Sequence, residues 1–143
     1  MRKLSVLVRA TAATLAAATV GVYVSAAVPA LVFGASFRDF VQMATEVYLP
    51  ALCLAVVTAP LAARALREDG ARRLAWQCTL IGCLIVAGAE LRWMMHLDLA
   101  PTPTLFWSIV FNAVLRGVPG GVAGAGVVLA VLLETAPRRR ALA

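Results

Sequence analysis

Residues 105–126 read LFWSIVFNAVLRGVPGGVAGAG, and this stretch is apolar enough to cross a membrane although it contains an arginine near its middle. Placing an arginine at the centre of a bilayer costs about 2.5–3.5 kcal/mol on insertion scales. Such a residue therefore normally faces a partner group, a wet cavity or another chain. We expect Arg116 to lie near whatever specific site this protein has.

The composition of the whole chain indicates a membrane protein. The 143 residues are 62% hydrophobic and 14% charged, and the mean hydropathy is +0.90. Soluble domains have about 45–50% apolar residues. A length near 150 residues predicts one domain, and four spans of about 20 residues each account for most of it.

Four apolar segments are separated by short polar or proline-containing stretches. We predict helices over approximately residues 4–33, 40–62, 74–94 and 104–133, with the arginine-rich residues 64–73 as the clearest loop. The basic start, the apolar run and the small residues at 24–26 also fit a cleaved signal peptide. Because the apolar run continues to Phe33, we predict an uncleaved first transmembrane helix instead.

The distribution of positive charge predicts the orientation of these helices. Three basic residues lie at the N-terminus, four in residues 64–73 and three in residues 138–140, whereas Arg38 and Arg92 lie on the other side. Basic residues favour the cytoplasmic side. The prediction is an all-α membrane protein, an antiparallel bundle of four transmembrane helices with both termini cytoplasmic.

The net charge of +6 does not indicate a nucleic-acid partner, because the basic residues flank apolar segments rather than forming a soluble basic face. The predicted surroundings are the lipid bilayer. Twelve arginines against one lysine, together with many alanines, are typical of a GC-rich bacterial genome. The expected location is therefore the bacterial inner membrane, with several passes.

Polar residues precede Arg116 on the fourth segment. Ser108 and Asn112 stand eight and four residues before Arg116, which places the three on one side of a helix. At 1.5 Å per residue, Arg116 lies roughly 15 Å below an entry near Phe106. The spacing predicts a polar approach that descends from the outer surface to Arg116.

Two glutamates are candidate partners for Arg116 in the outer half of the bundle. Glu46 lies one helical turn after Gln42 on the second segment, and Glu90 lies close to the outer end of the third. We expect Arg116 to pair with Glu46, and Glu90 to be either a second acceptor or an interfacial residue. The alternative is that the cluster is only a buried ion pair that orients helices.

Glycines follow Arg116 at spacings that permit close helix crossing. Gly117 and Gly121 form one pair separated by four residues, and Gly120 and Gly124 form a second. This pattern predicts tight packing or self-association. It also leaves open a broken helix that lines a cavity, as in transporters.

No arrangement of side chains predicts catalysis. The Met94–His96 cluster could bind Cu(I) or take part in haem ligation, but a single interfacial histidine is more typical of a solvated polar tip. Cys53, Cys78 and Cys83 have no redox or zinc spacing and are expected to pack as small hydrophobes. We therefore predict no enzyme activity, no metal and no cofactor.

Two functions fit these features. The favoured one is a small membrane subunit or accessory factor whose polar cluster and glycine-rich helix dock a membrane-protein partner or a second copy of the chain. The alternative is a small oligomeric transporter or channel in which Arg116 attracts an anion or a carboxylate-bearing solute. We favour the first because the two halves of the chain show no inverted repeat.

Overall fold

The computed structural model describes residues 2–68 and 70–134. The helices of this part of the chain are α1 (Arg2–Phe33), α2 (Phe37–Glu68), α3 (Gly70–His96) and α4 (Pro103–Glu134). Each contains a segment long and apolar enough to cross a membrane: Leu7–Phe33, Phe37–Arg64, Arg72–His96 and Pro103–Val131. The predicted all-helical class and the four membrane-length helices are confirmed.

The connection between α2 and α3 is much shorter than predicted. The sequence predicted a loop over residues 64–73, whereas α2 continues to Glu68 and α3 begins at Gly70. Ala, Leu, Arg and Glu are good helix formers, so helix continues beyond the apolar segment. Gly70 has φ of +66°, which is the left-handed conformation that interrupts the helix. The arginines at 138–140, which contributed to the predicted orientation, lie outside the described residues.

The α1–α2 connection is equally tight, and a capping box fixes the start of α2. Gly34 has φ of +65° and ends α1. The backbone N–H and the hydroxyl of Ser36 donate to Asp39 Oδ2 at 3.1 and 2.7 Å, and the backbone N–H of Asp39 donates to Ser36 Oγ at 3.3 Å. These reciprocal bonds satisfy N–H groups that the first turn of a helix leaves without partners.

The helices form a four-membered bundle in which α4 packs closely on α1 and α3. α2 packs closely on α1 and more loosely on α3, and it lies across the bundle from α4. Most of the buried core residues are small, while large apolar side chains cover the outer surface. That distribution suits a protein whose surroundings are lipid and whose helix contacts depend on close backbone approach.

The glycines after Arg116 face two different helices. Gly120 and Gly124 lie against α1, and Gly117 and Gly121 lie against α3. A Cβ at Gly120 would be 2.6 Å from a carbonyl oxygen of α1, and a Cβ at Gly121 would be 2.7 Å from a carbonyl oxygen of α3. The two predicted glycine pairs thus lie at separate helix contacts, and α4 is held between its neighbours by backbone contact on both sides.

Candidate functional site

Arg116 is the one charged residue that is buried among the described side chains. Its side chain is 7% exposed, and it lies near the middle of α4, thirteen residues after the helix begins. The glycines that follow it in α4 let α1 and α3 come close. A buried arginine requires compensation, and its partners define the site.

Glu90 on α3 compensates the charge of Arg116. Arg116 Nη1 donates to Glu90 Oε1 at 3.2 Å, and the Glu90 side chain is 24% exposed. Gly117 touches Cys83, so Glu90, seven residues further along α3, lies roughly 10 Å nearer the end of the bundle. The arginine stem therefore extends toward that end, as long cationic side chains do in membranes.

The predicted pairing of Arg116 with Glu46 is wrong. Glu46 acts on Arg116 electrostatically, but among the described residues it forms no ion pair with Arg116, and it accepts a hydrogen bond from Gln42 Nε2 at 3.1 Å. The reason is the order of the helices around the bundle. α3, which carries Glu90, is a direct neighbour of α4, whereas α2 lies across from it.

The polar approach predicted on α4 is only partly enclosed. Ser108 is exposed on the bundle surface, and Asn112, one turn further, is half-buried. In the described part of the chain neither side chain forms a hydrogen bond with Arg116. The polar residues therefore lie on one side of the helix, as spacing predicted, but they do not form a continuous hydrogen-bonded path.

A cavity of about 220 Å³ lies on the opposite side of Arg116 from these residues. All four helices contribute to it, and along α4 it extends from Arg116 to Val128, roughly 18 Å at the helical rise. None of Gln42, Glu46, Glu90, Ser108 and Asn112 lines it. The open space thus runs from Arg116 toward the end of the bundle that carries the N-terminus, not toward Ser108.

The cavity wall is mainly apolar. Small and aliphatic residues of all four helices form most of it, including alanines of α1 and α2, glycines of α4 and aliphatic residues of α3. Two threonines also line it, Thr14 and Thr58, but each donates its hydroxyl to a backbone carbonyl of its own helix. The wall therefore suits an apolar occupant better than a polar one.

Two side chains on the cavity wall carry buried polar atoms without partners. These atoms are Arg116 Nε, Arg116 Nη2 and Ser25 Oγ. Ser25 is 5% exposed, and its Cβ would be 3.0 Å from a Cβ at Gly120, one turn beyond Arg116. The sequence places Ser25 on a face of small residues that is expected to pack against another helix, but it does not identify Ser25 as a site residue. Its position facing the glycines of α4 was the missing information.

The other residues considered for metal or redox chemistry lie apart from this site. His96 is exposed at the end of α3. Cys53 is exposed, which corrects the expectation that it packs internally, while Cys78 lines the cavity and Cys83 lies against α4. In the described ranges, no group of three or more His, Cys, Asp or Glu side chains is arranged to hold a metal ion.

The site therefore consists of a buried arginine with an acidic partner on one side and an apolar cavity on the other. Comparison of the chain with protein-family models, with curated proteins and with solved structures finds no match.

Proposed function

We propose that this chain is a multi-pass protein of the bacterial inner membrane, with antiparallel helices and both termini in the cytoplasm. The contacts of α4 support the antiparallel arrangement. Positions 17 and 21 of α1 meet positions 124 and 120 of α4, and the contacts of α3 with α4 also run in opposite directions along the chain. The excess of basic residues near the termini and near residues 64–73 supports the cytoplasmic placement.

We infer that the protein acts, without catalysing a reaction, as a subunit or accessory factor of a membrane complex. The observation that supports this inference most strongly is the exposure of the outer face of α3. In the apolar 18-residue window of α3 only 11% of the residues are buried, against 28–39% in the corresponding windows of the other helices. Leu80, Leu84, Gly88 and Leu91 lie on one exposed face of α3 at helical spacing, and a Cβ at Gly88 would meet nothing within 4 Å.

A glycine on an exposed face favours a protein partner over lipid. It adds little apolar surface, but it allows a second helix to approach closely, with leucines on either side to pack around the contact. The partner is a transmembrane helix, from another protein or from a second copy of this chain. The Arg116–Glu90 ion pair joins α3 to α4 and so helps to hold the exposed face of α3 in one orientation.

Purification in mild detergent with paired glycine variants tests this function. Gly88→Leu fills the proposed contact on α3, while Gly126→Leu makes the same change at an exposed glycine of α4 that also has open space around it. We expect the wild type and Gly126→Leu to co-purify with the same partner at fixed stoichiometry, and Gly88→Leu to lose it. A wild-type protein that is strictly monomeric and without partners would contradict the proposal.

A transporter or channel for an anion or a carboxylate-bearing solute is the second candidate. The cavity that reaches Arg116 favours it. Two features weigh against it: the outer polar residues do not line the cavity, and Glu90 already balances the charge of Arg116. Flux of a small carboxylate into proteoliposomes that is lost in Arg116→Lys would support this candidate over the subunit function.

A further inference from the structure

The unpaired part of Arg116 has a definite hydrogen-bonding shape. Nε and Nη2 are the nitrogens whose N–H bonds run side by side along one edge of a guanidinium, and both are buried without partners. Nη1, on the other side, is the nitrogen that binds Glu90. This edge is a two-donor fork that suits oxygen acceptors, and the nearby Ser25 hydroxyl adds a third unpaired group.

The cavity reaches Arg116, which forms part of its wall. Its wall includes Val47 and Val86, which lie within about one turn of Glu46 and Glu90. Arg116 and Ser25 belong to the same wall. Glu46 and Glu90 lie beyond these valines and do not line the cavity. A ligand in this cavity has a small polar head at Arg116 and extends along α4 toward Val128.

The charges around Arg116 favour an uncharged head. Glu90 is in contact with the guanidinium, and Glu46 acts on it as well. A ligand carboxylate would add another negative charge in a medium of low polarity, where charges are costly. The two N–H donors of the fork need an acceptor oxygen rather than a second negative charge. The oxygen of a carbonyl group can accept both hydrogen bonds.

The cavity also has a lateral entrance. Leu61 of α2 and Leu80 of α3 line it, yet they are 57% and 62% exposed. The space therefore opens to the surroundings of the bundle between the two neighbouring helices that pack most loosely. An apolar molecule dissolved in the bilayer can enter there without crossing water.

We propose that the cavity binds a neutral single-chain lipid with a carbonyl head, of the long-chain ester type, with the carbonyl oxygen on the Arg116 fork and the chain along α4. Water alone would satisfy the fork, but it would find few partners along the apolar remainder of the cavity. This ligand site goes beyond the proposed subunit function and does not depend on it.

Photolabelling of the purified full-length protein tests the site. The probe is the methyl ester of a 14-carbon fatty acid with a diazirine in mid-chain, and the labelled peptides are located by mass spectrometry. We expect saturable labelling of the cavity-lining parts of α2, α3 and α4. Unlabelled methyl ester should compete about tenfold better than the matching alkane, because two hydrogen bonds distinguish them, and better than the matching carboxylate.

Two variants on one helix provide the control. Ala55 lines the cavity on α2, whereas its neighbour Val56 is exposed and does not. Ala55→Phe should abolish saturable labelling, and Val56→Phe should leave it unchanged, with both proteins retaining wild-type helicity by circular dichroism. Equal competition by alkane and ester, stronger competition by the carboxylate, or equal labelling of the two variants would overturn the proposal.

Discussion

The contact between α3 and α4 predicts that a single methyl group at Gly121 destabilises the fold. A Cβ at this position would lie 2.7 Å from the carbonyl oxygen of Cys78 and would also touch the Cα of Thr79. An ordinary van der Waals contact begins at 3.4 Å, so α3 would have to move by about 1 Å to clear the nearer of these two atoms. Backbone atoms cannot rotate aside as a flexible side chain can, and overpacking of this kind costs about 1–3 kcal/mol.

Gly126 provides the matched control for this measurement. It is also inside α4, and a Cβ there would meet nothing within 4 Å. Both Gly→Ala changes gain the same helix propensity, about 1 kcal/mol, so the difference between the two variants isolates the cost of the contact. Reversible unfolding in mixed detergent and dodecyl sulfate micelles, followed by circular dichroism, should show Gly121→Ala about 1–3 kcal/mol less stable than Gly126→Ala. Equal stability of the two variants would refute the close α3–α4 contact.

Two further predictions use the same unfolding assay. Glu90→Leu should lower the free energy of unfolding by about 3–5 kcal/mol, because it leaves the charge of Arg116 buried and unpaired. Adding Arg116→Met should recover most of that loss. Glu46→Gln should cost clearly less stability, since Glu46 forms no ion pair with Arg116. A Glu46→Gln effect as large as that of Glu90→Leu would contradict this assignment. Ser36→Ala should cost about 1 kcal/mol by removing the capping box with Asp39, whereas Ser36→Thr should keep most of the stability; equal losses in the two variants would exclude the cap.

The sequence was sufficient for the helices because hydrophobicity and length decide whether a segment can span a bilayer. It was insufficient for the partner of Arg116. Depth along the helices made both glutamates acceptable, and only the order of helices around the bundle separates Glu90 from Glu46. That order depends on which helix faces pack closely together. The glycines of α4 allow close packing against two helices, α1 and α3, rather than one.

The side of Arg116 on which the cavity lies was also beyond sequence reasoning. The polar pattern predicted an approach to Arg116 through Ser108 and Asn112. The cavity instead forms where small residues of several helices face one another. One signal was available: Ala51, Ala55 and Ala62 recur at near-helical spacing on α2, and all three line the cavity. Where these alanines of α2 face the glycines of α4, no side chain is large enough to fill the space at the centre of the bundle.

The central claim is that Arg116 is a buried arginine that pairs with Glu90 through one edge of its guanidinium and lies on the wall of an apolar cavity. The ¹⁵N–¹H spectrum of arginine-labelled protein tests it most directly, with Arg116→Lys to assign the signal. We predict one Nε–H signal that persists at neutral pH, because burial slows its exchange with water, and that shifts when the long-chain methyl ester is added but not when the alkane is added. An Arg116 Nε–H that exchanges with water as fast as those of surface arginines would contradict the claim and favour a wet path for a solute.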